Sequence, residues 1–88
     1  MGKLYQVYVL QNRKGRFYIG LSENVSIRLQ QHNDGVSNWT AFRGPWTLVW
    51  TSDCLPLSDA LKLEKLLKKQ KGGAGFFRLT GLKKSSGS

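Results

Sequence analysis

Arg28 and His32 stand where the surrounding pattern asks for hydrophobes. Val25, Arg28, Leu29 and His32 fall at i, i+3, i+4 and i+7, the spacing of one core-facing helical stripe. Leu57, Ala60, Leu61 and Glu64 repeat the arrangement much later in the chain. A charge on a buried stripe is costly unless it is paired or holds a metal, so both placements point to chemistry. Arg28 offers an always-charged planar fork that matches a phosphate bidentately, suited to holding a phosphodiester or stabilising the negative charge it gains under attack. Glu64 is a hard oxygen ligand for one divalent cation, Mg²⁺ or Mn²⁺, and Mg²⁺ needs only one or two protein carboxylates beside water and substrate phosphate. The bland alternatives are an Arg28 paired with Asp34 or Glu23 and a Glu64 paired with Lys68 one turn on. The stripe position of Glu64 argues against the second.

Two tyrosines complete the candidate set. Tyr8 and Tyr18 sit in strand-like segments and are expected to face each other, an arrangement equally suited to plain cross-strand packing. Beside a metal or an arginine, a phenol gives up its proton more readily and can activate or orient water for attack on phosphorus. His32 could assist by hydrogen bonding or proton transfer, and ranks below Arg28 and Glu64 because a lone histidine on an apolar stripe is often a satisfied core residue.

The elements that must position these groups are short. Leu4 to Leu10 reads as a strand that becomes almost wholly apolar, hence central. Gln11-Asn12-Arg13-Lys14-Gly15 supplies turn residues, and Arg16 to Gly20 returns as a second strand, giving a hairpin. Ser22 or Asn24 can cap a helix running to His32 or Asn33, closed by Asp34-Gly35. Gly35 to Pro45 reads as a polar loop carrying Trp39 and Phe42, and Trp46 to Thr51 as a third strand. Ser58 is the expected cap of a helix from about Asp59 to Lys69, its lysines 62, 65, 68 and 69 opposite its leucines, stopped by the glycines from Gly72. Gly75 to Leu82 reads as a short helix or packed turn, and residues 83–88 as a flexible tail. The expected organisation is one domain, 1–82, plus that tail.

Composition sets the partner class. The chain has 88 residues, 40% of them hydrophobic and 11% aromatic, enough for one modest core. No apolar run reaches the roughly 18 to 20 residues of a membrane span, and the N-terminus lacks a signal-peptide pattern, so a soluble cytoplasmic protein is expected. Val7 also spoils a myristoylation motif at Met1-Gly2. Cys54 has no second cysteine for a disulfide, and a single histidine rules out a structural zinc site. The net charge of +9 points to an anionic partner, nucleic acid first. From Lys65 onward seven basic residues meet no acidic one, so Lys65, Lys68, Lys69 and Lys71 are expected to contact a nucleic-acid backbone.

Taken in order, these residues resemble the GIY-YIG endonuclease superfamily. Val7-Tyr8-Val9 stands in place of the literal Gly-Ile-Tyr, Tyr18-Ile19-Gly20 matches the second-strand motif intact, and Arg28, His32 and Glu64 follow as the helix arginine, the group one turn later and the late glutamate. The resemblance covers roughly residues 4 to 71 and looks closest to small stand-alone members related to the N-terminal nuclease domain of an excision-repair protein. It implies an α+β fold with a central three-stranded antiparallel sheet flanked by helices. It also implies a shallow site with one divalent cation on Glu64, Tyr8 or Tyr18 as general base, Arg28 as phosphate binder, and Gly20 as the residue that lets the backbone approach closely. The activity implied is metal-dependent hydrolysis of DNA phosphodiester bonds, at branched, flapped or damaged structures.

Two other readings remain open at this level. One is a nucleic-acid-binding module that kept the fold but turns over poorly, with Trp39, Phe42 and Trp46 stacking on unpaired bases. The other is a nuclease subunit that needs a protein partner for affinity and target choice.

Overall fold

The computed structural model describes residues 2–35, 44–71 and 73–82. Trp39 and Phe42 and the expected tail 83–88 lie outside the described residues. Seven elements follow in order: β1 (Leu4–Gln11), β2 (Phe17–Ser22), α1 (Val25–Asn33), β3 (Thr47–Thr51), β4 (Leu55–Pro56), α2 (Leu57–Gln70) and α3 (Ala74–Thr80). The architecture is α+β, with β1 at the centre of an antiparallel sheet of order β2-β1-β3. The two-residue β4, which the sequence pattern did not indicate, pairs with the start of β1 through Leu4↔Pro56 and Tyr5↔Leu55.

The hairpin forms for local reasons. Asn12 Oδ1 accepts hydrogen bonds from the backbone N–H groups of Lys14 (3.0 Å) and Arg16 (2.9 Å), while Gly15 takes φ 84°, where only glycine is at ease. The resulting register sets Tyr8 opposite Gly20 and Leu10 opposite Tyr18. Directly opposed residues share a face, so Tyr8, Tyr18 and Gly20 lie on one side of the sheet and Val7, Val9 and Ile19 on the other.

Two cores result, one per face. Val7, Val9 and Ile19 pack with Ala60 and Leu67 of α2 and Phe76 of α3. Tyr8 and Leu10 pack with Val25 of α1 and Trp46, with Tyr18 and Leu29 against them. Because β1 is covered on both faces, Val7 to Leu10 are all buried, which is why that run reads as continuously apolar.

Helix α1 starts as expected: Asn24 caps it, its side chain accepting from Ile27 N at 3.1 Å, and Gly35 beyond its end has φ 80°. Helix α2 departs from expectation in two ways. It begins at Leu57, with Pro56 at the cap position and no side-chain cap, so Ser58 lies inside the first turn. The strand pairing of Leu55 and Pro56 delivers the chain straight into the helix and leaves Ser58 no capping role. Its core-facing stripe is also not the Leu57, Ala60, Leu61, Glu64 row: Leu57 and Leu61 are 44% and 46% exposed, while Ala60 and Leu67 are buried and Leu63 packs beside them. Five leucines on one short helix fit more than one stripe, and the sheet selects the row at 60, 63 and 67. Among the described residues no helix is long and apolar enough to cross a membrane.

Candidate active site

The sheet face carrying Tyr8 meets α1, and the two elements join through one hydrogen bond. Tyr8 is 1% exposed and its hydroxyl lies 2.8 Å from His32 Nε2, itself 1% exposed. Tyr18 leans on the pair from β2, its ring centroid 4.6 Å from that of His32 and 6.3 Å from that of Tyr8. Trp46 closes the group edge-on to Tyr18 at 6.3 Å. The expected proximity of the two tyrosines therefore holds. Trp46 is 3% exposed, so the reading that gave it to unpaired bases is corrected: it is a core residue of this face.

Arg28 occupies the same stripe one turn before His32. Its charge works against the rise of the Tyr8 pKa, and its Nη1 donates to Gln31 Oε1 at 2.7 Å. Neither pairing weighed from sequence is made, since Glu23 bonds Lys3 at 3.3 Å and Arg28 takes Gln31 instead. Tyr8 donates to His32 Nε2 when the imidazole proton sits on Nδ1 and accepts from it in the other tautomer.

Electrostatics agree with neutral partners. Burial pushes the Tyr8 phenol up to about 12, a rise to which Tyr18 and the Glu64 charge add and against which Arg28 works. Burial also lowers the His32 pKa from its usual 6.5, helped by the Arg28 charge. A neutral phenol thus shares a hydrogen bond with a neutral imidazole near a fixed guanidinium.

Glu64 comes from the opposite face. Helix α2 packs against the Val7, Val9, Ile19 side, yet the Glu64 carboxylate acts electrostatically on Tyr8. Strand β2 is the sheet edge there, and it sets Gly20 directly opposite Tyr8. The approach is so close that a Cβ on Gly20 would stand 2.5 Å from the Tyr8 hydroxyl oxygen and 2.6 Å from its Cζ. Glu64 is 19% exposed and bonds Lys68 at 3.5 Å. The half-buried position was expected; the ion pair with Lys68, which the stripe argument disfavoured, is nonetheless made.

Among the described residues no group of three or more His, Cys, Asp or Glu could cage a metal. A single accessible carboxylate fits a cation that keeps most of its water and takes substrate phosphate as a further ligand, as Mg²⁺ does.

Of the lysines expected to meet nucleic acid, Lys68 and Lys71 line a cleft with Tyr18 and Ile19. Lys65 and Lys69 are exposed along α2. Sequence reasoning missed Asn33, whose side chain accepts from Trp46 N at 2.7 Å and donates to Trp46 O at 3.1 Å, fastening the end of α1 to the start of β3. It also missed Gln31, whose i+3 spacing from Arg28 was the available signal.

A tyrosine hairpin, a helix arginine and histidine, and a glutamate from a second helix at the same sheet edge define a catalytic domain of a particular class. The GIY-YIG catalytic domain matches residues 4–76, and the chain belongs to that family. Structure-specific endonuclease subunit SLX1 of Homo sapiens is 40% identical over 62 residues, which make up 65% of this chain and 22% of that protein. A UPF0213 protein of Streptococcus pneumoniae serotype 4 is 35% identical over 66 residues, 74% of this chain and 67% of its own. Another UPF0213 protein, from Desulfotalea psychrophila, is 32% identical over 65 residues, 72% of this chain and 59% of its own. The chain spans about a fifth of the human relative's length. No solved structure matches it.

Proposed function

We propose that this protein is a divalent-metal-dependent endonuclease that hydrolyses phosphodiester bonds in DNA. The observation that carries the reading is the buried Tyr8 hydroxyl bonded to His32 Nε2, with the Arg28 and Glu64 charges acting on it. A binding module has no use for a half-buried carboxylate in so basic a chain, nor for a buried phenol bonded to a neutral imidazole. Family membership and the endonuclease relatives support the same class.

In this mechanism Arg28 holds a non-bridging oxygen of the scissile phosphate and stabilises the charge that builds on phosphorus. Water attacks phosphorus as its proton passes to the Tyr8 oxygen, and the Tyr8 hydrogen moves to His32 Nε2. The new P–O bond forms as the P–O3′ bond breaks, and the leaving oxygen takes a proton from solvent. This relay never requires a free phenolate, which a group whose pKa is pushed up to about 12 would form reluctantly near neutral pH. Glu64 would hold one Mg²⁺ or Mn²⁺, which when bound supplies positive charge beside the phosphate and the departing oxygen. Tyr18 orients the dyad by packing on His32.

The substrates proposed are branched, flapped or damaged DNA, in the cytoplasm and with a protein partner for target choice. SLX1, the human relative, carries the words structure-specific and subunit in its name. The test is cleavage of labelled single-stranded, duplex, flapped and branched DNA with Mg²⁺, Mn²⁺ or EDTA, by wild type beside Glu64→Gln. Metal-dependent cleavage is expected, falling by about 100-fold or more in the variant, as for loss of one strong electrostatic group. Binding without cleavage on every substrate, or equal cleavage by Glu64→Gln, overturns the reading.

A further inference from the structure

A second cluster of charge lies beside the tyrosines but outside the Tyr8 dyad. A cleft of about 330 Å³ opens between β2 and the end of α2, lined by Tyr18, Ile19, Lys68 and Lys71. Lys71 follows the last residue of α2, where its amide bonds Lys68 O at 3.4 Å, so the two side chains leave the helix together at its C-terminal end. A helix C-terminus favours cations and so tolerates the crowding.

Arg16 joins them from the hairpin. Its backbone is pinned by Asn12, and it stands one residue before β2 begins, two before Tyr18. Its charge is felt at Lys71: burial first, then Arg16 and then Lys68 lower the Lys71 pKa. Lys68 and Lys71 line the cleft, and the Arg16 charge felt from the hairpin makes Lys71 costlier to keep charged. Glu64 is bonded to Lys68 and is assigned above to a cation. A ligand bearing negative charge would relieve the repulsion, and apolar walls would strengthen its attraction. Tyr18 forms a wall of this cleft and also packs on His32, so a chain of phosphates crossing Tyr18 would reach both places.

We propose that this cleft, walled by Tyr18 and Ile19 and edged by Lys68 and Lys71, is a second phosphate subsite, which Arg16 joins from the hairpin, for a backbone phosphate flanking the scissile one on the same DNA strand. The proposal rests on the nuclease reading for the position of the scissile phosphate. It makes the basic end of α2 a defined binding site, distinct from the diffuse field of Lys62, Lys65 and Lys69 along the rest of the helix. Lys68 then has two partners to choose between. With a cation held by Glu64, Lys68 would turn from the carboxylate to the flanking phosphate.

The test measures binding of a labelled single-stranded oligonucleotide in EDTA, where no metal-dependent turnover occurs, as a function of salt. Lys71→Met and Arg16→Met are each expected to reduce the slope of log K against log salt by about 0.7, the value for one lost phosphate contact on a single strand. Lys62→Met, on the same helix but away from the cleft, is expected to leave the slope unchanged. Thermal melts of all four proteins verify that each is folded. Unchanged slopes in Lys71→Met and Arg16→Met, or an equal reduction in Lys62→Met, overturn the subsite. In a second arm, a neutral methylphosphonate is placed at each phosphate flanking the cut, and single-turnover cleavage is followed with metal present. Wild type is expected to slow at one flanking position and Lys71→Met to show no further loss there; a loss of the same size in both proteins counts against the site. Absence of cleavage with altered slopes would remove the nuclease reading and keep the cleft, whereas metal-dependent cleavage with unaltered slopes would do the reverse.

Discussion

Gly20→Ala tests whether the close approach of β2 to the Tyr8 ring is required. The added Cβ would sit 2.5 Å from the Tyr8 hydroxyl oxygen, 2.6 Å from Cζ and 3.0 Å from Cε1, against ordinary contacts of 3.4 to 4 Å. The ring must retreat by on the order of 1 Å, yet it is 1% exposed and flanked by Tyr18 and His32. Overpacking of this kind costs about 1–3 kcal/mol, and loss of the 2.8 Å bond to His32 adds about 1 kcal/mol. A total near 3 kcal/mol lowers the melting temperature by roughly 10–20 °C in a domain of this size. A displacement of about 1 Å at the reacting group costs about 100-fold in rate. Thermal denaturation and single-turnover cleavage report the two effects. The double variant Tyr8→Phe/Gly20→Ala sharpens the test, because removing the hydroxyl abolishes the shortest contact. Its destabilisation is expected to be smaller than the sum of the single ones by about 1 kcal/mol or more. Wild-type stability and rate in Gly20→Ala, or strict additivity in the double variant, would refute the geometric argument.

Acid should weaken the fold through His32. Because burial holds its folded pKa below 6.5, the unfolded chain binds more protons in that range, so stability is undiminished above about pH 6.5 and declines as pH falls toward the folded value. Urea denaturation from pH 7.5 down to 5, run on wild type and His32→Gln, is expected to show a shallower decline in the variant; parallel curves would contradict it. Asn33→Ala removes both hydrogen bonds to the Trp46 backbone, and a loss of about 1–3 kcal/mol is expected in denaturant midpoints. Unchanged midpoints would show that the Asn33 bonds add nothing to the hold on α1.

Much of the fold could be read from local pattern because its signals are local. The run Val7 to Leu10, the turn residues around Asn12 and the cap at Asn24 each act within a few residues, and each element formed where expected. The row of Val25, Arg28, Leu29 and His32 was legible for the same reason. What escaped was non-local or degenerate. Strand β4 is two residues long and exists through its pairing with β1. The buried row of α2 is chosen by the sheet from a helix with leucine at 57, 61, 63, 66 and 67. Asn33 meets a strand thirteen positions away, and nothing in its neighbours foretells that. Spacing placed Glu64 toward the protein, but that its charge is felt at Tyr8 on the other face of the sheet depends on how distant elements pack.

The two cores are unequal, and the site straddles them. Glu64 belongs to the helix that, with α3, forms the broader core with Val7, Val9 and Ile19, while Arg28 and His32 ride on a nine-residue helix whose buried residues are Val25 and His32. Opening free energies in a native protein follow such differences, the weakly buried unit breathing most often. Helix α1 can therefore lift from the sheet in excursions that leave the larger core folded, taking the guanidinium and the imidazole away from Tyr8 and returning them. Activity would then depend on the fraction of time that α1 is seated, a quantity that can change without any change in global stability. Under the function proposed above, a nucleic-acid strand held by Arg28 would press the helix down as it binds and so complete the site.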